Sequence, residues 1–108
     1  MSDTADAIVV LITAPNREEA IRLADMLVGA HLAACVQLLP EMESVYRWEG
    51  KIENSVETLV FFKLSEERYG AFEEKLRSLH PYDVPEIICL TVDAGSPDYL
   101  RWVADNCR

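Results

Sequence analysis

Residues 80–86 carry the densest set of potential metal ligands in the chain. This stretch holds the imidazole of His80 and the carboxylates of Asp83 and Glu86, and two prolines restrict its conformation. An imidazole together with carboxylates can ligate a divalent metal ion. The residues also suit a structural role, in which the helix dipole favours His80 at a helix C-terminus and Tyr82 and Glu86 bond across a subunit contact. The sequence leaves both interpretations open.

Cysteine is the second residue type that could bind a metal. Cys35 could bind a soft metal such as Cu(I) as a thiolate, or it could be a small buried apolar residue. Cys89 lies within an apolar run and is expected in the core, whereas Cys107 lies near the end and is expected to be exposed. The odd number and wide spacing of the three cysteines indicate neither a disulfide framework nor a CxxC site.

A third group of candidate residues surrounds a predicted turn at Glu49 and Gly50. Tyr46 and Trp48 precede this turn and Lys51 follows it, so aromatic and charged side chains meet at the tip of a hairpin. Exposed aromatic residues favour a contact surface, for which a second copy of the chain is the expected partner. The alternative is a small-molecule cleft with Trp48 as one wall. Tyr82 completes this set of candidates for a ligand cleft or subunit contact.

Composition excludes several classes of protein. The 108 residues include 10 basic and 19 acidic side chains, and the resulting net charge of −9 argues against nucleic-acid binding, which requires a basic surface. No apolar run reaches the ~18 residues of a membrane span, so we expect no membrane anchor and a cytoplasmic location. GxSxG, HExxH, GxGxxG and P-loop motifs are absent, which argues against an enzyme.

The elements that position these residues follow from the hydrophobic pattern. Residues 1–7 are predicted to be disordered and residues 8–108 to form one domain. Within that domain the pattern predicts a strand at 8–12, a helix from the Asn16 cap to Gly29, extended chain at 33–48 with a break at Pro40, a returning strand at 52–64, a helix capped by Ser65 and ended by His80, a strand at 86–92, and a last helix opened by Ser96 and Pro97. This order predicts an α+β fold of the ferredoxin-like, split βαβ type with a long central hairpin and an additional C-terminal helix.

The predicted strands indicate that the chain forms an oligomer. The runs at 8–12, 59–62 and 87–90 are continuously apolar, and such strands are typical of sheets covered on both faces. A ferredoxin-like sheet carries its helices on one face, so we expect another subunit to cover the other. The predicted hairpin arms are a dozen or more residues long, against about 5–6 in an average strand, and a two-stranded ribbon is marginally stable alone.

Six short motifs distributed over the domain support a family resemblance. They are 13–15 (TAP), 32–36 (LAACV), 46–51 (YRWEGK), 80–82 (HPY), 85–87 (PEI) and 99–102 (YLRW). Together they resemble the CutA family of divalent-cation tolerance proteins, from about residue 8 to the end. The resemblance implies a ferredoxin-like fold and a tight homotrimer related to the PII signalling proteins, in which the long hairpins reach over neighbouring subunits.

The resemblance also implies a link to tolerance of copper and other divalent cations, with copper binding attributed to some members. Members with assigned copper ligands carry a cysteine where this chain has Ile12 and a second histidine where it has Leu79, so His80 alone remains of that set. Gln37 stands where an asparagine is common and is expected to leave the fold intact.

Three functional hypotheses follow. The first is a non-catalytic homotrimer that binds copper or another divalent cation through His80 with Asp83 or Glu86, together with Cys35. The second is a PII-like signalling or scaffold trimer that binds a small anion or nucleotide in intersubunit clefts near Trp48 and His80. The third is a purely structural trimer.

Overall fold

The computed structural model describes residues 7–108, in which five strands and three α-helices form one sheet with its covering helices. The elements are β1 (Ala7–Ala14), α1 (Arg17–Gly29), β2 (Cys35–Leu38), β3 (Met42–Trp48), β4 (Lys51–Ser65), a 3₁₀ turn (Glu66–Arg68), α2 (Tyr69–Leu79), β5 (Ile87–Thr91) and α3 (Pro97–Asp105). No helix among these residues has the length and hydropathy that crossing a membrane requires.

The sheet has the strand order β2-β4-β1-β5, and β3 pairs with the remaining length of β4. Every pairing is antiparallel. The two central strands, β1 and β4, are adjacent in the sheet but are separated along the chain by α1, β2 and β3. This order confirms the predicted ferredoxin-like fold.

The core lies between one face of the sheet and helices α1 and α2. Alternate residues of the central strands point into it, because successive side chains of a strand point to opposite faces. Those with 1% exposure or less are Ile8, Val10, Ile12, Ala14, Thr58, Val60, Phe62 and Leu64. Phe62 meets Phe72 of α2 edge to face, with 5.0 Å between ring centroids and 72° between ring planes. These apolar contacts fix both helices on the sheet.

Helix capping follows the sequence at α1 but differs from it at α2. The Asn16 side chain accepts the main-chain N–H of Glu19 at 2.8 Å, as the spacing of the two residues predicts. The predicted cap at Ser65 is wrong, because this residue still belongs to β4, where it pairs with Ala7, and its side chain makes no capping hydrogen bond. The 3₁₀ turn separates it from α2.

The long hairpin forms around a tight turn. Glu49 and Gly50 both have positive φ, 50° and 80°, the geometry of the two-residue turns that match the twist of antiparallel strands. β3 pairs with residues 51–57 of β4, and the predicted break at Pro40 separates β3 from β2. The described chain is therefore elongated, with extents of 47 × 26 × 24 Å.

The second face of the sheet is only partly covered by the chain itself. Cys35 is aligned with Lys63 and, through it, with Val9, so these three side chains share the second face. The hydroxyl of Tyr99 lies 3.2 Å from Cys35 Sγ, which places α3 against this face. The expectation that one chain supplies no second layer is therefore wrong in part. Further along the same face, Ile88 and Leu90 are each 47% exposed.

The burial of two cysteines and the start of the first strand differ from the sequence predictions. Cys89 is exposed rather than buried, because β5 is an edge strand. Cys107 is fully buried rather than exposed, because the chain after α3 folds back onto the core. Of the N-terminal segment predicted to be disordered, residues 1–6 lie outside the described residues, and Ala7 is the first residue of β1.

Replacing Phe72 with alanine tests the core assignment. Loss of a fully buried ring and its contact with Phe62 is expected to lower the free energy of unfolding by about 3–5 kcal/mol. Urea unfolding at a fixed protein concentration measures the change. Val84→Ala, at a site that is 72% exposed, is the control and should change the midpoint little.

Candidate functional site

His80 is held by both of its ring nitrogens. It follows α2, and its own main-chain N–H closes the helix on Leu76 O at 2.9 Å. Nε2 lies 2.8 Å from the main-chain oxygen of Thr13, and Nδ1 lies 3.1 Å from the main-chain nitrogen of Tyr82. The ring is buried, with 8% exposure. Two strongly directional contacts therefore set its orientation.

These contacts also determine which nitrogen carries the proton in the neutral ring. The Tyr82 main-chain N–H can only donate, so Nδ1 must be the acceptor. Nε2 then carries the hydrogen and donates it to the carbonyl of Thr13. His80 is therefore the Nε2–H tautomer, with its lone pair on Nδ1 directed at the Tyr82 main chain.

The side chain of Tyr82 connects the 80–86 loop, defined as residues 80–86, to the base of the hairpin. Its hydroxyl donates to Glu57 Oε2 at 2.8 Å, and its ring centroid lies 4.8 Å from that of His80. Burial and the hydrogen bond to the Glu57 carboxylate raise the pKa of Tyr82. Glu57 is itself buried, with 8% exposure, at the position where β4 leaves β1 and continues with β3.

The predicted cleft residues lie on one face of the hairpin. Tyr46 and Trp48 are two residues apart on β3, so their side chains point to the same face. Across the hairpin Tyr46 pairs with Glu53, and Trp48 pairs with Lys51. Ser55 donates its hydroxyl to that of Tyr46 at 3.3 Å. Trp48, next to the hairpin turn, is half exposed, whereas Glu57 at the base of the hairpin is buried. This face therefore extends from a buried carboxylate to an exposed aromatic side chain.

Asp83 and Glu86 occupy the outer side of the 80–86 loop and are exposed. Asp83 lines an open depression of about 540 Å³ together with Glu73 and Arg77 of α2. The loop thus brings one imidazole and two carboxylates into the same short segment. Among residues 7–108, however, no group of three or more histidine, cysteine and acidic side chains is gathered closely enough to hold a metal ion.

Cys35 lies apart from this segment. It is aligned with Lys63 of β4, whereas Thr13, the partner of His80, is aligned with Leu59. Four residues along a strand correspond to about 13 Å, so one chain does not bring Cys35 to His80.

Sequence reasoning missed Glu57 and Thr13 as parts of this site. Thr13 acts through its main-chain carbonyl, which no residue type encodes, and Glu57 is one of several glutamates in the hairpin. The local signal for Glu57 is its place beside the apolar run at 59–62, where an acidic residue is expected to need a partner.

Comparison with known proteins shows the family and the fold. The family described as CutA1 divalent ion tolerance protein matches residues 8–106. The chain belongs to the CutA1 family. It is 44% identical to the divalent-cation tolerance protein CutA of Pectobacterium atrosepticum over the whole of both chains. The crystal structure of CutA1 from Oryza sativa superposes with a TM-score of 0.93 at 42% identity, covering 99% of this chain and 98% of that one.

The relatives differ in length. The curated rice protein, named as chloroplastic, is 42% identical over 107 residues, which are 99% of this chain and 60% of the rice protein. This chain spans 52–62% of the plant and vertebrate CutA relatives that it matches.

Ile12 and Leu79, the two positions at which the family resemblance expected a cysteine and a second histidine, have contacts of their own in the structure. Ile12 is fully buried in the core on β1. The main-chain oxygen of Leu79 accepts a hydrogen bond from Arg22 at 2.7 Å. The Arg22 guanidinium also bonds Glu19 and lowers the pKa of that carboxyl. Ile12 is therefore a core residue, and the main chain at Leu79 takes part in a contact between α1 and α2.

The contact between Cys35 and Tyr99 predicts an alkaline titration. The hydrogen bond to Cys35, with burial, raises the pKa of Tyr99 from 10 to about 12. Because the unfolded phenol ionises at lower pH, this contribution to stability is complete below pH 10 and is lost as pH rises through about 12. Cys35→Ala should move the Tyr99 midpoint back towards 10, as followed by ¹³C NMR of the phenol carbon. Cys89→Ala is the matched control, and an unmoved midpoint in Cys35→Ala would contradict the assigned contact.

Proposed function

We propose that this chain is a non-enzymatic, cytoplasmic homotrimer that binds a divalent cation, with copper as the first candidate, in a metal-tolerance response. The observation that carries the proposal is the 80–86 loop, where an imidazole of fixed orientation shares a short segment with two exposed carboxylates. Imidazole and carboxylate are suitable ligands for divalent transition metals. Membership of a divalent ion tolerance family supports the same chemistry.

The surplus of acidic residues adds a general attraction for cations. A net charge of −9 raises the local concentration of positive ions around the chain without creating a specific site. Any measured binding must therefore show a defined stoichiometry. The ordered imidazole of His80 is what separates a specific site from this diffuse background.

The apolar surface that one chain leaves exposed supports the proposed assembly. On the second face of the sheet Ile88 and Leu90 are half exposed, and on the hairpin Val45, Ile52 and Val56 are each more than half exposed. Exposed apolar residues on adjoining strands are typical of a protein–protein interface. A homotrimer that covers them supports the hairpins and can add ligands from a second subunit to those of the loop.

Native mass spectrometry of chelator-stripped protein tests assembly and metal uptake together. We expect a trimer mass and, after one equivalent of copper(II) per chain, discrete uptake of one or three ions per trimer. His80→Ala should lower the affinity for copper tenfold or more, because the imidazole is the strongest neutral ligand of the loop. His31→Ala removes the other histidine of the chain and is the matched control. A monomer, a smear of weak adducts, or unchanged affinity in His80→Ala would each refute the corresponding part of the proposal.

The alternative function is a PII-like signalling or scaffold trimer that binds a small molecule in its intersubunit clefts. The face that joins Tyr46, Trp48 and Tyr82 above the buried Glu57 favours it, since aromatic walls with a few fixed polar groups are typical of ligand sites. A carboxylate at the base favours ligands that donate hydrogen bonds over the anions expected from sequence.

A thermal-shift screen separates the two functions. Nucleotides, common acids and small amines are tested against metal-free protein, because a ligand at 100 times its dissociation constant adds about 2.7 kcal/mol of stability. A hit that is lost in Tyr46→Ala would favour the cleft. No hit in the screen and no copper uptake would leave the purely structural trimer.

A further inference from the structure

We propose that the hydrogen bond between Tyr82 and Glu57 is a clasp that holds the ribbon at a fixed angle to the sheet. The ribbon is defined as residues 42–57, which are β3 and the part of β4 that pairs with it. Tyr82 is then a positioning residue, and the ribbon is a hinged element whose angle depends on this contact. This conformational role goes beyond the proposed function, because it requires neither a cation nor a small molecule.

The ribbon joins the sheet through a narrow junction. β1 ends its pairing with β4 at Thr58, and the pairing with β3 begins at the adjacent residue, Glu57. On the other side of β4, residues 39–41 form neither helix nor strand, and Pro40 has no main-chain N–H with which to continue a ladder. The strand partners of β4 therefore change on both sides within a few residues, so this junction is where the ribbon can bend.

The ribbon has little other support within the chain. Over residues 7–108, β3 pairs with β4 alone, and Val45, Ile52 and Val56 are each more than half exposed. Two-stranded ribbons are marginally stable by themselves and twist strongly. The angle of the ribbon is therefore determined by contacts at its base.

Tyr82 makes such a contact at the last residue pair of the ribbon. Glu57 pairs with Met42 there, and the Tyr82 hydroxyl donates to Glu57 Oε2 at 2.8 Å. A hydrogen bond to a carboxylate is stronger than one between neutral groups. Because Glu57 has 8% exposure, turning it away from Tyr82 would leave a buried carboxylate without this partner, which is costly. The clasp therefore favours one orientation of the base.

The other end of the clasp is fixed to the sheet. The main-chain N–H of Tyr82 donates to Nδ1 of His80 at 3.1 Å, and Nε2 of His80 donates to the carbonyl oxygen of Thr13 at 2.8 Å. The rings of His80 and Tyr82 also lie against each other, with 4.8 Å between their centroids. Because Thr13 belongs to β1, a continuous series of contacts connects β1 with the ribbon across the junction.

Both faces of the ribbon depend on the angle at its base. The register of β3 and β4 places Tyr46 and Trp48 on one face and Val45, Ile52 and Val56 on the other. Trp48 is six residues from Met42, and six residues of a strand span about 20 Å, so a rotation of about 10° at the base moves the tip by about 3–4 Å. The clasp therefore determines where the aromatic face and the exposed apolar face lie.

The orientation of the ribbon in the full-length protein tests the clasp. Residual dipolar couplings of the backbone amides are measured for residues 43–56 and, as the reference, for residues 58–64 of the sheet. In the wild type both sets should fit one alignment, because the ribbon and the sheet form one rigid body. Tyr82→Phe keeps the ring and removes the donor, so the ribbon couplings should fall together by about a third while the sheet couplings stay unchanged.

Tyr69→Phe is the matched control for this measurement. It removes a tyrosine hydroxyl that is bonded to Glu73 on α2, away from the junction, and the ribbon couplings should keep their wild-type values. Unchanged ribbon couplings in Tyr82→Phe would overturn the clasp. Equal losses in the ribbon and the sheet would also overturn it, because they would indicate a general loss of structure.

A double variant separates the clasp from the effect of an unpaired charge. Tyr82→Phe leaves the buried carboxylate of Glu57 without its donor, and that alone disturbs the base of the ribbon. Glu57→Gln removes the charge and keeps an acceptor, so by itself it should lower the ribbon couplings less than Tyr82→Phe does. In the double variant the couplings should stay as low as in Tyr82→Phe. Their return to the wild-type values would assign the effect to the charge and contradict the clasp.

Discussion

The continuous pairing of β4 is the constraint on which the rest of the structure depends. This single strand pairs with β1 and β2 over its second half and with β3 over its first half. Its even-numbered residues from 58 to 64 form the centre of the core, and its first half projects beyond the helices as one arm of the hairpin. A change in its register would invert every one of these side chains. The core and the candidate site are therefore set by the same strand.

Glu57 marks the point at which β4 passes from one environment to the other. The next residue, Thr58, pairs with β1 and is buried in the core, whereas the preceding residue, Val56, pairs with β3 only. A buried carboxylate at such a junction requires a partner. Tyr82 supplies it and so links the loop after α2 to the hairpin. His80 completes the connection to β1, so three elements distant in sequence meet within a few hydrogen bonds.

The sequence was sufficient for the fold because the fold depends on local patterns. Asn16 and Glu19 marked the start of α1, Glu49 and Gly50 marked the hairpin turn, and the apolar runs marked the central strands. Environments created by packing could not be obtained in this way. Cys89 was expected to be buried and is exposed, because it lies on an edge strand. Cys107 was expected to be exposed and is buried, because the end of the chain packs against the core. At the candidate site, residue types singled out His80 and Tyr82 as candidates, but the tautomer of His80 depends on a main-chain carbonyl, which no residue type reveals.

The elongated shape has a consequence for the stability of a newly made chain against proteolysis. A ribbon of two strands extends the chain to 47 Å in one direction and holds its apolar side chains in water. Such a segment opens locally at low cost, and local opening is what proteases recognise. For the homotrimer proposed above, an unassembled copy would be degraded faster than an assembled one. The amount of protein in the cell would then follow the rate at which subunits meet, as well as the rate at which they are made.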